Sequence, residues 1–216
     1  SYSVILIIHR ETGQIIDGQT VQIPTAKTLE MVIQHRFGPM DNGIKDLWGI
    51  YGPGANTRMG LNYSVTDWLM VGWGIMKYHM VNDFSVKVSL LRQTRNNKSP
   101  LDIVFFGNMT IDGQPDKNYG NNYSFGNRFG YFSQLLVSRK FTHWFSLQVG
   151  GSFTHFNSAE KGYEHDKIGV HFLGRFKISP QSSIAFSYDW PLVIDQIAEN
   201  IPMKDPSKPN FGITYE

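Results

Sequence analysis

The stretch Arg58 to Met76, RMGLNYSVTDWLMVGWGIM, decides the fold class. Met59, Leu61 and Tyr63 alternate with Arg58, Gly60 and Asn62, and beyond a short connection at Ser64 to Asp67 the residues Leu69, Val71, Trp73 and Ile75 alternate with Met70, Gly72, Gly74 and Met76. A period of two is the signature of a β-strand, and so short a polar connection makes the two strands antiparallel neighbours. One face is bulky and apolar; the other is glycine-rich or polar. A strand with lipid on one side and a crowded, wet lumen on the other needs that division.

The same alternation extends in both directions. Leu29, Met31 and Ile33 oppose Glu30, Val32 and Gln34, and Phe84, Val86 and Val88 oppose Ser85, Lys87 and Ser89. Ile103 and Phe105 oppose Asp102, Val104 and Phe106, and residues 127–156 form a second clear hairpin turning around Phe141 to His143. A third turns at Ser179 to Gln181, and Phe211, Ile213 and Tyr215 begin a last strand pattern. Connections near 64–67, 92–99, 141–143 and 179–182 are short, while those near 38–56, 77–82, 112–126, 157–166 and 191–209 are mostly longer. Short and long alternate, as they do between the two rims of an up-and-down membrane barrel. The expectation is an all-β, antiparallel up-and-down transmembrane β-barrel with ten visible strands in one domain over 27–216. Residues 1–26 precede it as a hairpin or an inward tether.

Two soluble architectures share the alternation. A sandwich usually carries shorter strands, whereas several here sustain alternation over about ten residues. A soluble ligand-binding barrel is apolar inside, yet the polar face here holds too many ionisable groups to bury dry. Lipid outside and water inside accounts for both faces. Composition agrees: fifteen Phe, ten Tyr and five Trp suit interfacial girdles, and 21 Gly suit tight turns. A net charge of +2 argues against a nucleic-acid partner, and the absence of cysteine excludes disulfides and covalent c-type haem. The opening SYSVILIIHR is not a complete secretory signal, and the chain stops inside a strand pattern, so missing C-terminal strands are expected.

The runs HRFG at His35 to Gly38, GLNYSVTDWLMVGWG at Gly60 to Gly74, LLRQ at Leu90 to Gln93, NRFGYFSQLLVSRKF at Asn127 to Phe141 and GRFKIS at Gly174 to Ser179 carry a family likeness. The chain resembles, over roughly residues 14–216, a family of outer-membrane β-barrel proteins of unknown function from Bacteroidota-type bacteria. The resemblance implies an outer-membrane location and further strands after Glu216, hence about twelve in the full-length protein. It supplies no catalytic residues.

Several constellations are candidates for function. The inward row holds Glu30, Arg58, Asn62, Lys87, Asp102, His171, Arg175, Lys177 and Asp189. Its excess of cations favours small anions if the lumen is open, whereas opposite charges pairing across a narrow lumen would seal it. Sealing is the favoured reading. Ser152, His155 and Asp166 are a hydrolase candidate near one rim, but no nucleophile motif accompanies them, and a polar rim is the better account. His155 and His165 with Glu160 and Glu164, and the oxygens of Asp112, Asp116, Asn118, Asn121 and Asn122, lack metal-site spacing, so no metal and no cofactor are expected. Trp68, Trp73, Trp144, Tyr188 and Trp190 read as interface anchors. Trp48 and Tyr51 in one long loop, and Ile194, Ile197 and Ile201 in another, are candidate docking surfaces. The function expected is non-enzymatic: a structural or accessory subunit of an outer-membrane assembly, in contact with outer-membrane lipid and with other outer-membrane or periplasmic proteins. A narrow, mildly cationic diffusion channel is the alternative.

Overall fold

The computed structural model describes residues 14–15, 18–36, 43–45, 47, 56–94, 98–120, 122–159, 164–192 and 209–215. A two-residue pair, β1 (Gln14–Ile15) with β2 (Gly18–Gln19), precedes ten long strands. These are β3 (Leu29–Arg36), β4 (Asn56–Thr66), β5 (Leu69–Met76), β6 (Asn82–Leu91), β7 (Asp102–Ile111), β8 (Phe129–Lys140), β9 (Phe145–Phe156), β10 (Asp166–Ser179), β11 (Ser182–Leu192) and β12 (Asn210–Tyr215). Each pairs antiparallel with its chain neighbours, giving one ten-stranded up-and-down sheet. Among the described residues the sheet is not closed, and β3 and β12 are its edges. The docking candidates Trp48, Tyr51, Ile194, Ile197 and Ile201 lie outside the described residues.

Because side chains alternate across a strand, cross-strand register decides which residues share a face. Leu61, Trp73 and Phe84 stand opposite one another on β4, β5 and β6, and all three are exposed. The outward rows of the other strands are apolar in the same way, through Phe105, Leu135, Val149, Phe172 and Phe186. From Phe145 to His155 the outward row of β9 spans ~33 Å along the strand, or ~25 Å along the barrel axis at a ~40° tilt. That is the height of a membrane barrel's apolar band. Leu135 sits mid-strand in this band, so Leu135→Arg is expected to weaken insertion by about 2–4 kcal/mol. Urea titration of refolding into vesicles would measure it, and an unchanged midpoint would contradict a lipid-facing row.

Three details depart from the sequence reading. The first turn is Asp67 and Trp68, because β4 runs on to Thr66 through a bulge between Ser64 and Thr66. Similar bulges interrupt β6 between Ser89 and Leu91 and β10 between Lys177 and Ser179, so all three sit at the same rim, where an extra residue adjusts strand direction. Loop length does not separate the rims strictly: the 92–101 connection on the short-turn rim outruns the 77–81 connection on the other. Finally, the inner face is not uniformly polar. Met70, Val104, Phe106, Leu136, Leu173 and Ala185 are buried on it, with Val104 directly opposite Leu136.

Candidate functional site

Part of the chain's own N-terminal segment lies against the inner face. Residues 18–22 cross it as a strap, with Gln19 and Thr20 buried. Beyond the two-residue β1–β2 pair the strap has no ladder partner among the described residues, so its other backbone groups need side-chain partners. Gln148 on β9 supplies them: its Nε2 donates to the Gln19 carbonyl at 2.8 Å and its Oε1 accepts from the Val21 N–H at 3.1 Å. Lys87 on β6 reaches the Gln22 carbonyl with Nζ at 3.5 Å, and it lies 5.9 Å from the Phe106 ring centre. Gly18 is placed against His171 on β10 so closely that a Cβ there would stand 2.5 Å from the imidazole Cε1. The segment then descends to the short-turn rim. There the Ala26 N–H donates to Asp67 Oδ1 at 2.7 Å and the Lys27 N–H to the Ser64 carbonyl at 2.7 Å, before β3 begins.

Register brings all nine inward candidates to the strap's face of the sheet. They act differently there. Arg58 lies across a floor made by the cross-strand pair Gly60 and Gly74, where added Cβ atoms would sit 2.7 Å from Nη1 and 2.5 Å from Nη2. The glycines let the guanidinium reach Asp83 as a fork, Nε to Oδ2 at 2.8 Å and Nη2 to Oδ1 at 2.6 Å. Asn108 Nδ2 donates to the same carboxylate at 3.2 Å, and Arg58 Nη1 donates to Gln34 Oε1 at 3.3 Å. His171 Nδ1 stands 2.6 Å from Asp189 Oδ1 on the neighbouring strand. Asp102 accepts the Gln93 N–H at 2.9 Å, and Arg175 Nε donates to Ser183 Oγ at 3.2 Å. Glu30 and Asn62 are half-buried, whereas Lys177 is exposed beside the β10–β11 turn. The cations are thus spread over the face rather than gathered at one constriction.

The hydrolase candidate is not assembled. His155 Nδ1 and Asp166 Oδ1 are 2.6 Å apart on the outward face, but Ser152 is on the inner face and donates Oγ to the Gly169 carbonyl at 3.3 Å. Residues 152 and 155 are an odd number apart on one strand, so strand parity alone separates them. Of the metal candidates, Glu160 and Asn121 lie outside the described residues, and His155, His165, Asp112, Asp116 and Asn118 have other partners. His165 Nδ1 lies 2.7 Å from the Phe156 carbonyl, and Asp116 pairs with Arg128. Among the described residues no group of His, Asp and Glu is arranged to hold a metal ion.

Asp112 and Arg128 organise the 112–128 connection instead. Arg128 donates from Nη1 to the carbonyls of Asp112 and Gln114 at 2.7 and 2.6 Å and from Nε to Tyr123 Oη at 2.7 Å, with its Cζ 5.2 Å from the Tyr119 ring centre and 5.1 Å from that of Tyr123. Burial pushes the Asp112 pKa up, but hydrogen bonds from the Gln114 backbone and side chain, with Tyr119 and His79 adding, outweigh it and leave it below the ordinary 3.8. A depressed carboxylate contributes stability above its unfolded pKa and loses it as pH falls through the folded value. The connection is therefore expected to hold from neutral pH down to about 4 and to loosen below that. Arg128→Ala is expected to loosen it at neutral pH, with chymotryptic cleavage after Tyr119 and Tyr123 roughly tenfold faster. Equal cleavage rates would show that the guanidinium does not hold the loop.

The sequence reading had not singled out three of the residues that matter most. Asp83 falls in phase with Ser85 and Lys87, so parity marks it as inward once β6 is extended to Asn82. Gln148 was visible as an inward amide, but its use depends on the strap. Arg128, between two tyrosines and β8, gave no periodic signal at all.

A ten-stranded up-and-down sheet, apolar outside over a membrane's thickness and polar within, has one further finding beside it: a model of the membrane bound beta barrel domain family (DUF5777) matches residues 11–216. The chain belongs to this family. It is accordingly a membrane-bound β-barrel domain, and the strap lies within the matched region. The family's description states no activity, so the likeness fixes architecture and leaves the inner face and the loops to be interpreted from their own chemistry. Nothing matches among curated proteins or among solved structures. No helix among the described residues is long and apolar enough to cross a membrane, which bears only on helical spans.

Proposed function

We propose that this protein is a non-enzymatic bacterial outer-membrane barrel that serves as a structural or accessory subunit of a larger outer-membrane assembly. The observation that supports this reading is the strap. A barrel that conducts solute needs a continuous aqueous path, whereas here residues 18–22 lie across the inner face, held by Gln148 and Lys87 and packed against His171. A filled interior leaves the rims as working surfaces, and the 112–128 connection, braced by Arg128, is built as a shaped surface rather than a bare turn. Its partners on this reading are outer-membrane lipid and other outer-membrane or periplasmic proteins.

The test is extraction of the full-length protein from native membranes in mild detergent, with measurement of native mass and co-purifying chains. A defined partner at fixed stoichiometry is the expected result. A lone barrel that conducts ions in planar bilayers would replace this reading with the narrow channel, for which the inward Arg58, Lys87 and Arg175 are the selectivity candidates.

A further inference from the structure

One cation breaks the pattern of the outer surface. Among the described strand residues of β3 to β12, the outward rows contain a single Lys or Arg, Arg139, which follows Leu135 and Val137 on β8 and stands opposite Leu147 on β9. Its guanidinium has no hydrogen-bond acceptor among the described residues, and Nε is buried without a partner. The group is instead held near Phe141, with Cζ 5.2 Å from the ring centre. Phe141 belongs to a run of rings at the short-turn rim: it stacks on Phe145 at 5.6 Å, Phe145 on Phe176 at 4.8 Å, and Trp144 on Phe176 at 6.1 Å. Phe141 and Trp144 are both exposed.

We propose that Arg139 and the aromatic residues around it form a binding site for the phosphodiester group of a membrane phospholipid. The proposal rests on the outward face meeting lipid. Aromatic rings concentrate at headgroup depth, and a guanidinium at that depth meets phosphate rather than acyl chain. The guanidinium fork matches two phosphate oxygens, a geometry that an ammonium cannot reproduce. Phe141 fixes the stem and the ring plane while the exposed Trp144 offers an apolar wall to the glycerol and upper acyl region. An arginine placed elsewhere on this surface would face hydrocarbon with nothing to accept its protons; at the end of β8 the lipid itself supplies the acceptor.

The experiment is native mass spectrometry of the full-length protein with dioleoylphosphatidylglycerol, comparing wild type, Arg139→Gln and Arg139→Lys. Folding and vesicle insertion of each are confirmed first by heat-modifiable gel migration and co-flotation. Wild type is expected to retain the lipid, Arg139→Gln to retain it roughly fivefold less, and Arg139→Lys to fall between, while dioleoylglycerol without a phosphate is not retained. Inorganic phosphate is expected not to displace the lipid; full displacement would identify a soluble-anion site and overturn the proposal. Equal retention by Arg139→Gln would overturn it too. Should Arg139→Gln fail to fold, the Lys variant decides the matter, since equal retention by Lys removes the fork argument. Failure of the wild type to insert into vesicles would instead strike the lipid-facing reading itself, a distinguishable outcome.

Discussion

Arg58→Ala is expected to destabilise the protein by about 3–5 kcal/mol, because it strands the Asp83 carboxylate in the sheet's inner face. Asp83 has a side chain only 2% exposed, and among the described residues its charge is met by the Arg58 fork with one further hydrogen bond from Asn108. Neither carboxylate oxygen can turn to bulk water. Removing both charges should cost far less: Arg58→Met with Asp83→Leu is expected to lie within ~2 kcal/mol of wild type, since the desolvation of two ions disappears along with their attraction. Gly60 and Gly74 are expected to tolerate larger residues better in that double variant than in wild type, because the guanidinium no longer lies on them. Urea unfolding in vesicles gives all of these quantities. If the single and double variants lost equal stability, the ion pair would not be what the glycine floor is built for.

Gln148→Leu is expected to release the strap. The substitution removes the two hydrogen bonds that Gln148 makes to the strap, at the Gln19 carbonyl and the Val21 N–H, and leaves a leucine that can still pack. Leaving one buried and one half-buried group without partners costs about 2–3 kcal/mol in total, which is roughly 30- to 150-fold faster hydrogen exchange at the Val21 amide. Gly18→Val should act through a different contact with the same outcome, because its side chain needs the space that the His171 ring fills. Exchange measured on protein in lipid nanodiscs distinguishes these results. Unchanged exchange at Val21 in both variants would mean that the strap is held by something other than Gln148 and the Gly18 contact. On the reading that the strap fills the interior, both variants should also show ion conductance in planar bilayers that wild type does not.

Much of this molecule was legible before its structure. Strand identity followed from period two, and the outward residues followed from parity, so Leu61, Trp73, Phe84 and Phe105 are where alternation puts them. Parity also would have rejected the Ser152, His155 and Asp166 grouping without coordinates. The reading erred where local rules compete. The turn after Ser64 was placed too early because a bulge carries β4 through Thr66. The strand pattern read from Phe84 starts two residues late, since β6 begins at Asn82 and takes in Asp83. Alternation sets Val104 and Phe106 on the inward row beside Asp102, yet their apolar character goes unread there, because alternation reports orientation and not what lies opposite.

Alternation along the chain is one-dimensional information: it yields the strands, their order, their two faces and the membrane class, all consequences of side chains alternating across an extended backbone. The tertiary structure alone decided which inner residues meet. Arg58 and Asp83 are 25 positions apart and Gln148 is 127 from Val21, and such pairs are joined only by cross-strand register or by a strap laid over the sheet. No local propensity encodes contacts of that kind. They arise because a buried backbone amide or carboxylate must find a partner wherever the fold brings one within reach.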